Sequence, residues 1–456
     1  MRKIDLERSE TELFTDAPGL ALVGLCIRHS GLSRRLARVE RDGRSFISTL
    51  DIFTAFIGLL CCGKSDSAAL EFERDNPWFK EALGLDHVPS SASLRQRLDK
   101  AGRAGTGLAA AVGESAIELL CRLQVPITGC GGKAKRLIPL DIDVFPQDNS
   151  NTKKEGVSWT YKGFSGYAPI GAYLGAEGWC LGVELRPGSQ HGQTGFVDFL
   201  QLMLRRARRL TRSALLARLD GAHDAGETFV ALRRCPGVRF VVRWNTRNEE
   251  RQGWLERARR VGVEERGHRD GVRSWLLEST VERRYGEACV KCRRIVRVRE
   301  VRIDERGRVL AFPEIHLEGW LTDLRLPAED VISLYRDHGT SEQFHSEFKT
   351  DLDLERLPSK RFGTNALVMS LGHFSYNLLR ALGQRGLLGG RVAHRHPVKR
   401  RRVRTVMRDL ILGAARVIRR GHRVVLRFGR HCPFFDAFCG VYEWLRAACG
   451  SSRLRS

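Results

Sequence analysis

The stretch Leu137-Ile138-Pro139-Leu140-Asp141-Ile142-Asp143-Val144-Phe145 marks the point where the character of the chain changes. Apart from Pro139 it alternates as a strand does, then breaks into a polar loop, so its acids sit at a strand end. Upstream, residues 1 to about 135 read as helical, with apolar positions at helical spacing through Asp51–Leu60. Pro89–Leu98 reads as a serine-capped helix that carries Arg95 and Arg97 near its start. Such a helix is either a groove reader or an ordinary capped surface helix. The Gly- and Lys-rich run Gly129–Arg136 makes a linker between the two halves.

Downstream, residues 168 to 186 predict a hairpin turning at Glu177-Gly178, followed by a helix from Gly195 to Leu210. Ala214–Asp220 is another apolar strand that ends in an acid; a helix over 224–233 and the strand Val238–Trp244 follow. Strands alternating with helices in this way imply a mixed α/β sheet. Residues 246 to 326 are β-prone and charged, and read as an insertion. Pro327 to about Leu382 is helical again, and the tail from Arg391 to Ser456 is strongly basic and expected to be helical. The expected division is therefore a helical domain over 1–135, an α/β domain over 136–390 and a basic region over 391–456.

The 456 residues carry 77 Lys plus Arg against 53 Asp plus Glu, a formal charge of +24. That surplus favours a polyanion, and nucleic acid is the commonest one. With 42% hydrophobic residues the chain has ample material for a core. No run of about 18 apolar residues argues for a membrane span; the expected place is the cytoplasm, at the nucleoid. The 12 cysteines are scattered, and several lie in apolar runs as reduced core residues. Cys289-Val-Lys-Cys292 is a lone pair of that spacing and reads as part of a β-hairpin rather than a zinc site.

Phosphodiester transfer without a covalent enzyme intermediate needs carboxylates that hold hard cations against the phosphate. Asp143 and Asp220 each end an apolar strand, where a carboxylate is costly unless it is solvated or used. Taken alone, either acid reads more readily as a cap of the loop that follows. Asp141 shares a strand face with Asp143, so spacing leaves both as candidates for the first acid. Further on, Tyr335, His338, Glu342 and Lys349 stand at offsets 0, 3, 7 and 14, which places them on one face of an ideal helix. Gly339 weakens that helix, and Thr340 with Gln343 offers a capping box at which it would instead begin.

This last segment resembles the Tyr-x2-Arg-x3-Glu-x6-Lys signature of DDE transposases from bacterial insertion sequences. The catalytic half is similar to the insertion sequence family 1380 group in four ordered blocks: Leu140-Asp141-Ile142-Asp143, Thr160–Tyr167, Arg186-Pro187-Gly188 and Arg218-Leu219-Asp220-Gly221. Phe145 and His338 depart from the pattern, standing where the family usually has Thr and Arg. The resemblance implies an RNase H-like catalytic core with a mixed sheet, a β-rich insertion at about 246–326 and a helical N-terminal DNA-binding domain. It implies Asp143, Asp220 and Glu342 as catalytic and metal-binding acids, preferring Asp143 to Asp141, around two Mg²⁺ ions with Mn²⁺ as a substitute. Tyr335, His338, Lys349, Arg95 and Arg97 are then expected at the DNA. The implied partners are double-stranded DNA, as element terminal inverted repeats and as target, and a second copy of the chain; no membrane is implied. The implied activity is metal-dependent cleavage and strand transfer in cut-and-paste transposition. A DNA-binding derivative without catalysis, and an RNase H-like nuclease that never joins, are the alternatives.

Overall fold

The computed structural model describes residues 4–40, 45–134, 136–266, 269–388 and 398–451. A short strand β1 (Leu13–Thr15) precedes six helices: α1 (Leu20–His29), α2 (Leu32–Val39), α3 (Thr49–Cys61), α4 (Pro77–Leu83), α5 (Ser91–Arg103) and α6 (Thr106–Arg122). Local chemistry sets their starts. Ser48 and Ser90 accept the amides of Asp51 and Ser93, and Asn76 caps α4 with Pro77 in its first turn.

Strand β2 (Ile138–Val144) opens the α/β half, followed by three short strands, β3 (Gln147–Asp148), β4 (Ser158–Trp159) and β5 (Ser165–Tyr167), which pair with one another. The expected hairpin is β6 (Ile170–Leu174) with β7 (Trp179–Glu184), turning through Gly178. Then come α7 (Phe196–Leu210), β8 (Leu215–Leu219), α8 (Gly226–Arg233) and β9 (Val238–Arg243). The strands stand in the order β7-β6-β2-β8-β9, with β2, β8 and β9 parallel and β6 antiparallel to both β2 and β7. This is an RNase H-like core.

The insertion is not an appended module. It begins with a helix, α9 (Arg251–Val261), where β-prone chain was expected; Glu250 caps it, and its Glu, Arg, Leu and Ala residues favour helix. Strands β10 (Val263–Glu264), β11 (Val272–Tyr285), β12 (Ala288–Ile303) and β13 (Val309–Thr322) follow, and β13 pairs antiparallel with β9. One sheet of nine strands results. Cys289 and Cys292 lie beside the β11–β12 turn, the first exposed and the second buried.

The chain then forms α10 (Ala328–Arg336), a 3₁₀ turn over Asp337–Gly339, α11 (Thr340–Ser346) and a π turn over Glu347–Asp351. Gly339 thus tightens a continuing helix, and the Thr340 capping box does not form. The long helix α12 (Phe362–Gly386) runs buried through the molecule, against α3, α5, α6 and β7. After α13 (Val403–Val406), the basic region that was expected to be helical forms a hairpin, β14 (Ala415–Arg420) with β15 (Arg423–Phe428), before α14 (Phe435–Ser451). Val417, Ile418, Val424 and Val425 supply β-branched residues, and Gly421 takes the left-handed conformation at the turn. Part of the expected basic tail, residues 391–397, lies outside the described residues.

Alternation along the strands feeds two apolar layers. Leu215, Ala217 and Phe240 join a core that reaches from Leu20 to Leu445, while Leu216, Val241 and Trp320 pack beneath Val331 and Ile332 of α10. The larger core crosses the expected 135/136 boundary without a break. Among the described residues no single helix is long and apolar enough to cross a membrane.

Candidate active site

Parallel pairing of β2 with β8 sets Asp141 opposite Arg218 and Ile142 opposite Leu219. Asp143 and Asp220 are the next residues on the two strands, and so emerge together at their carboxyl ends. In open α/β sheets that edge is where ligands bind. A groove of about 570 Å³ lies over it, lined by Asp143, Trp159, Tyr161, His191, Asp220 and Arg247 among others. Glu342 enters from α11 and is exposed.

Asp143 feels both of the other acids. Burial pushes the Asp143 carboxyl up to about 6; His338 pulls against it, and Asp220 and then Glu342 add smaller repulsions. Burial and the same three carboxylates raise the Tyr161 phenol. Among the described residues no three His, Cys, Asp or Glu side chains converge closely enough to hold a metal ion. Asp143 accepts the Val144 amide at 2.8 Å and Asp220 the Gly221 amide at 2.5 Å, so each is folded back on the chain that follows it. Asp143 and Asp220 at the groove, with Glu342 near enough to act on Asp143, make an all-oxygen donor set that suits a hard divalent cation.

Asp141 takes the opposite course. Arg218 grips both its oxygens at 2.6 Å, and His338 Nδ1 meets Oδ1 at 2.8 Å. Burial works against its charge, yet Arg218 and His338 hold the carboxyl below its ordinary range. With both oxygens engaged in the interior, Asp141 has no free face for an ion. His338, expected toward DNA, is buried instead: Asp141 outweighs the desolvation that would keep its ring neutral. Its Nε2 is buried without a hydrogen-bond partner.

The model of the family described as Transposase DDE domain group 1 matches residues 2–449. The chain belongs to that family. No curated protein matches it. Among solved structures it is similar to a piggyBac transposase, in a cryo-EM synaptic complex with hairpin DNA, at 9% identity and a TM-score of 0.42, covering 87% of this chain and 79% of that one.

In this member of the transposase family, two motif glycines fix the turn beside the groove. A Cβ on Gly166 would stand 2.0 Å from the Gln147 carbonyl oxygen, and one on Gly188 would stand 2.2 Å from that of Ser158. Backbone therefore packs directly on backbone. The turn so fixed presents Trp159 and Tyr161, which are 66% and 65% exposed, and the Tyr161 hydroxyl donates to the Val144 carbonyl at 3.2 Å. Trp244 and Trp320 are buried, with guanidinium groups of Arg294 and Arg243 over their rings.

Tyr335 is half-buried between Trp320 and His338. Lys349 pairs with Glu355 at 3.3 Å and donates to the Pro146 carbonyl. Arg97 does not project freely: it holds the chain before α3, donating to the Ser45 hydroxyl, to Ile47 O at 2.7 Å and to Thr49 Oγ1 at 3.0 Å. Arg95 is exposed, on a groove shared with Lys360 and Arg361. Sequence reasoning assigned no role to Arg218, although a guanidinium inside an apolar strand, two residues before an acid, signals a buried partner.

Proposed function

We propose that this chain cleaves and joins DNA strands as the transposase of a bacterial insertion sequence, by a cut-and-paste route. The observation that carries this reading is the emergence of Asp143 and Asp220 side by side at the carboxyl ends of β2 and β8, with Glu342 near enough to act on the Asp143 carboxyl. These three carboxylates would hold two Mg²⁺ ions, with Mn²⁺ able to replace them. The ions supply activation of a water or a 3′-hydroxyl and stabilisation of the leaving oxygen.

The remaining roles belong to the protein. Trp159 and Tyr161 offer ring faces at the groove, suited to an unstacked base. Exposed Lys162 and Arg247 beside it supply positive charge for the phosphate backbone. Element ends and target are both double-stranded DNA, and handling two ends calls for a dimer on DNA.

The test is incubation of labelled element ends and a target plasmid with the full chain and Mg²⁺. Joined product supports transposition. Cleavage without joining indicates an RNase H-like nuclease, and end-specific binding with neither reaction indicates a DNA-binding derivative.

A further inference from the structure

Each of the three acids has a companion one step back along its own element. Asp141 precedes Asp143 by two residues on β2, and Arg218 precedes Asp220 by two at the end of β8. His338 precedes Glu342 by four, in the turn that leads into α11. A spacing of two on a strand keeps companion and acid on the same side, while the 3₁₀ turn lets His338 face inward four residues before the exposed Glu342.

The three companions meet. Arg218 binds Asp141 through two parallel N–H···O contacts of 2.6 Å, and His338 joins the same carboxylate at 2.8 Å. Arg218 Nη1 also donates to the Leu334 carbonyl at 2.8 Å, on the helix that leads to His338. Exposure is 2% for Asp141, 4% for Arg218 and 7% for His338.

Stability alone does not account for such a trio. Replacing a buried ion pair by apolar residues of like volume is often neutral or favourable by about 1–4 kcal/mol. What the trio supplies is geometry. A bidentate guanidinium–carboxylate pair fixes the relative position of its two strands. The imidazole ties the helix to the same point.

We infer that Asp141, Arg218 and His338 form a positioning clasp that sets the relative placement of Asp143, Asp220 and Glu342, and through it the affinity of the site for divalent cations. The inference rests on reading those three acids as the cation-binding set. The clasp residues touch neither cation nor DNA; they act one layer beneath.

The test is Mn²⁺ binding to the full chain without DNA, by titration calorimetry, alongside thermal unfolding. Two variants open the clasp: His338→Leu frees the helix, and the double change Asp141→Leu with Arg218→Met removes the strand pair without stranding a charge. A third, His338→Gln, keeps a donor for Asp141. Expected is a loss of Mn²⁺ affinity of about tenfold to a hundredfold in the first two, at a melting temperature close to that of the parent, with recovery in His338→Gln. Unchanged affinity in a folded clasp variant overturns the inference. So does a loss of affinity that merely follows a loss of melting temperature in all three, since the trio would then be structural only. If the parent chain binds no Mn²⁺, or Glu342→Gln leaves its binding untouched, the reading of the acids fails first and the clasp falls with it.

Discussion

Asp141 and Asp143 are two residues apart on one strand face, yet their surroundings drive their carboxyl groups in opposite directions. The first has a buried guanidinium gripping it; the second is raised chiefly by its own burial, to which two more carboxylates add. For the proposed chemistry the decisive residue is Glu342, exposed on α11 and free of the strand framework. Glu342→Gln keeps shape and removes charge, so DNA binding should persist while cleavage falls by about a thousandfold, or about 4 kcal/mol of barrier. Gel shift and cleavage on one DNA end measure both. A second residue-scale effect concerns pH. Burial pushes the His373 imidazole down to about 3, while its Nε2 lies 2.9 Å from the Cys180 carbonyl oxygen. As pH falls below about 6.5, the unfolded chain takes up this proton and the folded one does not, so stability is lost progressively toward pH 3. Denaturant midpoints between pH 7 and pH 4 should fall, and His373→Asn should flatten that slope.

At the scale of elements, the segment from Ala328 to Asp351 shows how turn type redirects chemistry. An unbroken α-helix would set Tyr335, His338, Glu342 and Lys349 along one face. The 3₁₀ turn at Asp337–Gly339 and the π turn at Glu347–Asp351 change the rotation per residue. His338 swings inward while Glu342 stays exposed. The β6–β7 hairpin abuts this segment through Gly178, whose φ is +72° and whose added Cβ would stand 2.2 Å from the Phe344 ring. Phe344 is two residues from Glu342. Gly178→Ala therefore combines a left-handed strain with a clash, and should cost about 1–3 kcal/mol in chemical denaturation. Cleavage should fall with it, as α11 is pushed from the sheet.

For the whole molecule, charge and closure matter most. With a net +24, binding to DNA should weaken steeply with salt: log Kobs against log salt should be linear, with a slope of about −0.9 per phosphate neutralised. A shallow slope, equivalent to one or two phosphates, would contradict extended backbone contact. Closure comes from the two ends of the chain. Strand β1 pairs with β14, and His29 of α1 lies 2.9 Å from the Leu445 carbonyl oxygen of α14. Helices α1 and α14 thus help close the core around α12.

The sequence by itself determined the strand-ending acids, the hairpin turn at Gly178, the order of the main strands and helices from residue 137 to 244 and the positive charge. Each of these is written in local periodicity, turn residues or composition. It did not determine that Asp141 is spent on Arg218, that His338 faces inward, or that the insertion continues the main sheet. Nor did it show the C-terminal hairpin or the core shared across the expected domain boundary. Those depend on which residues meet across 77 positions, from Asp141 to Arg218, or 197, from Asp141 to His338. Strand register and helix phase fix such meetings only once the chain has packed.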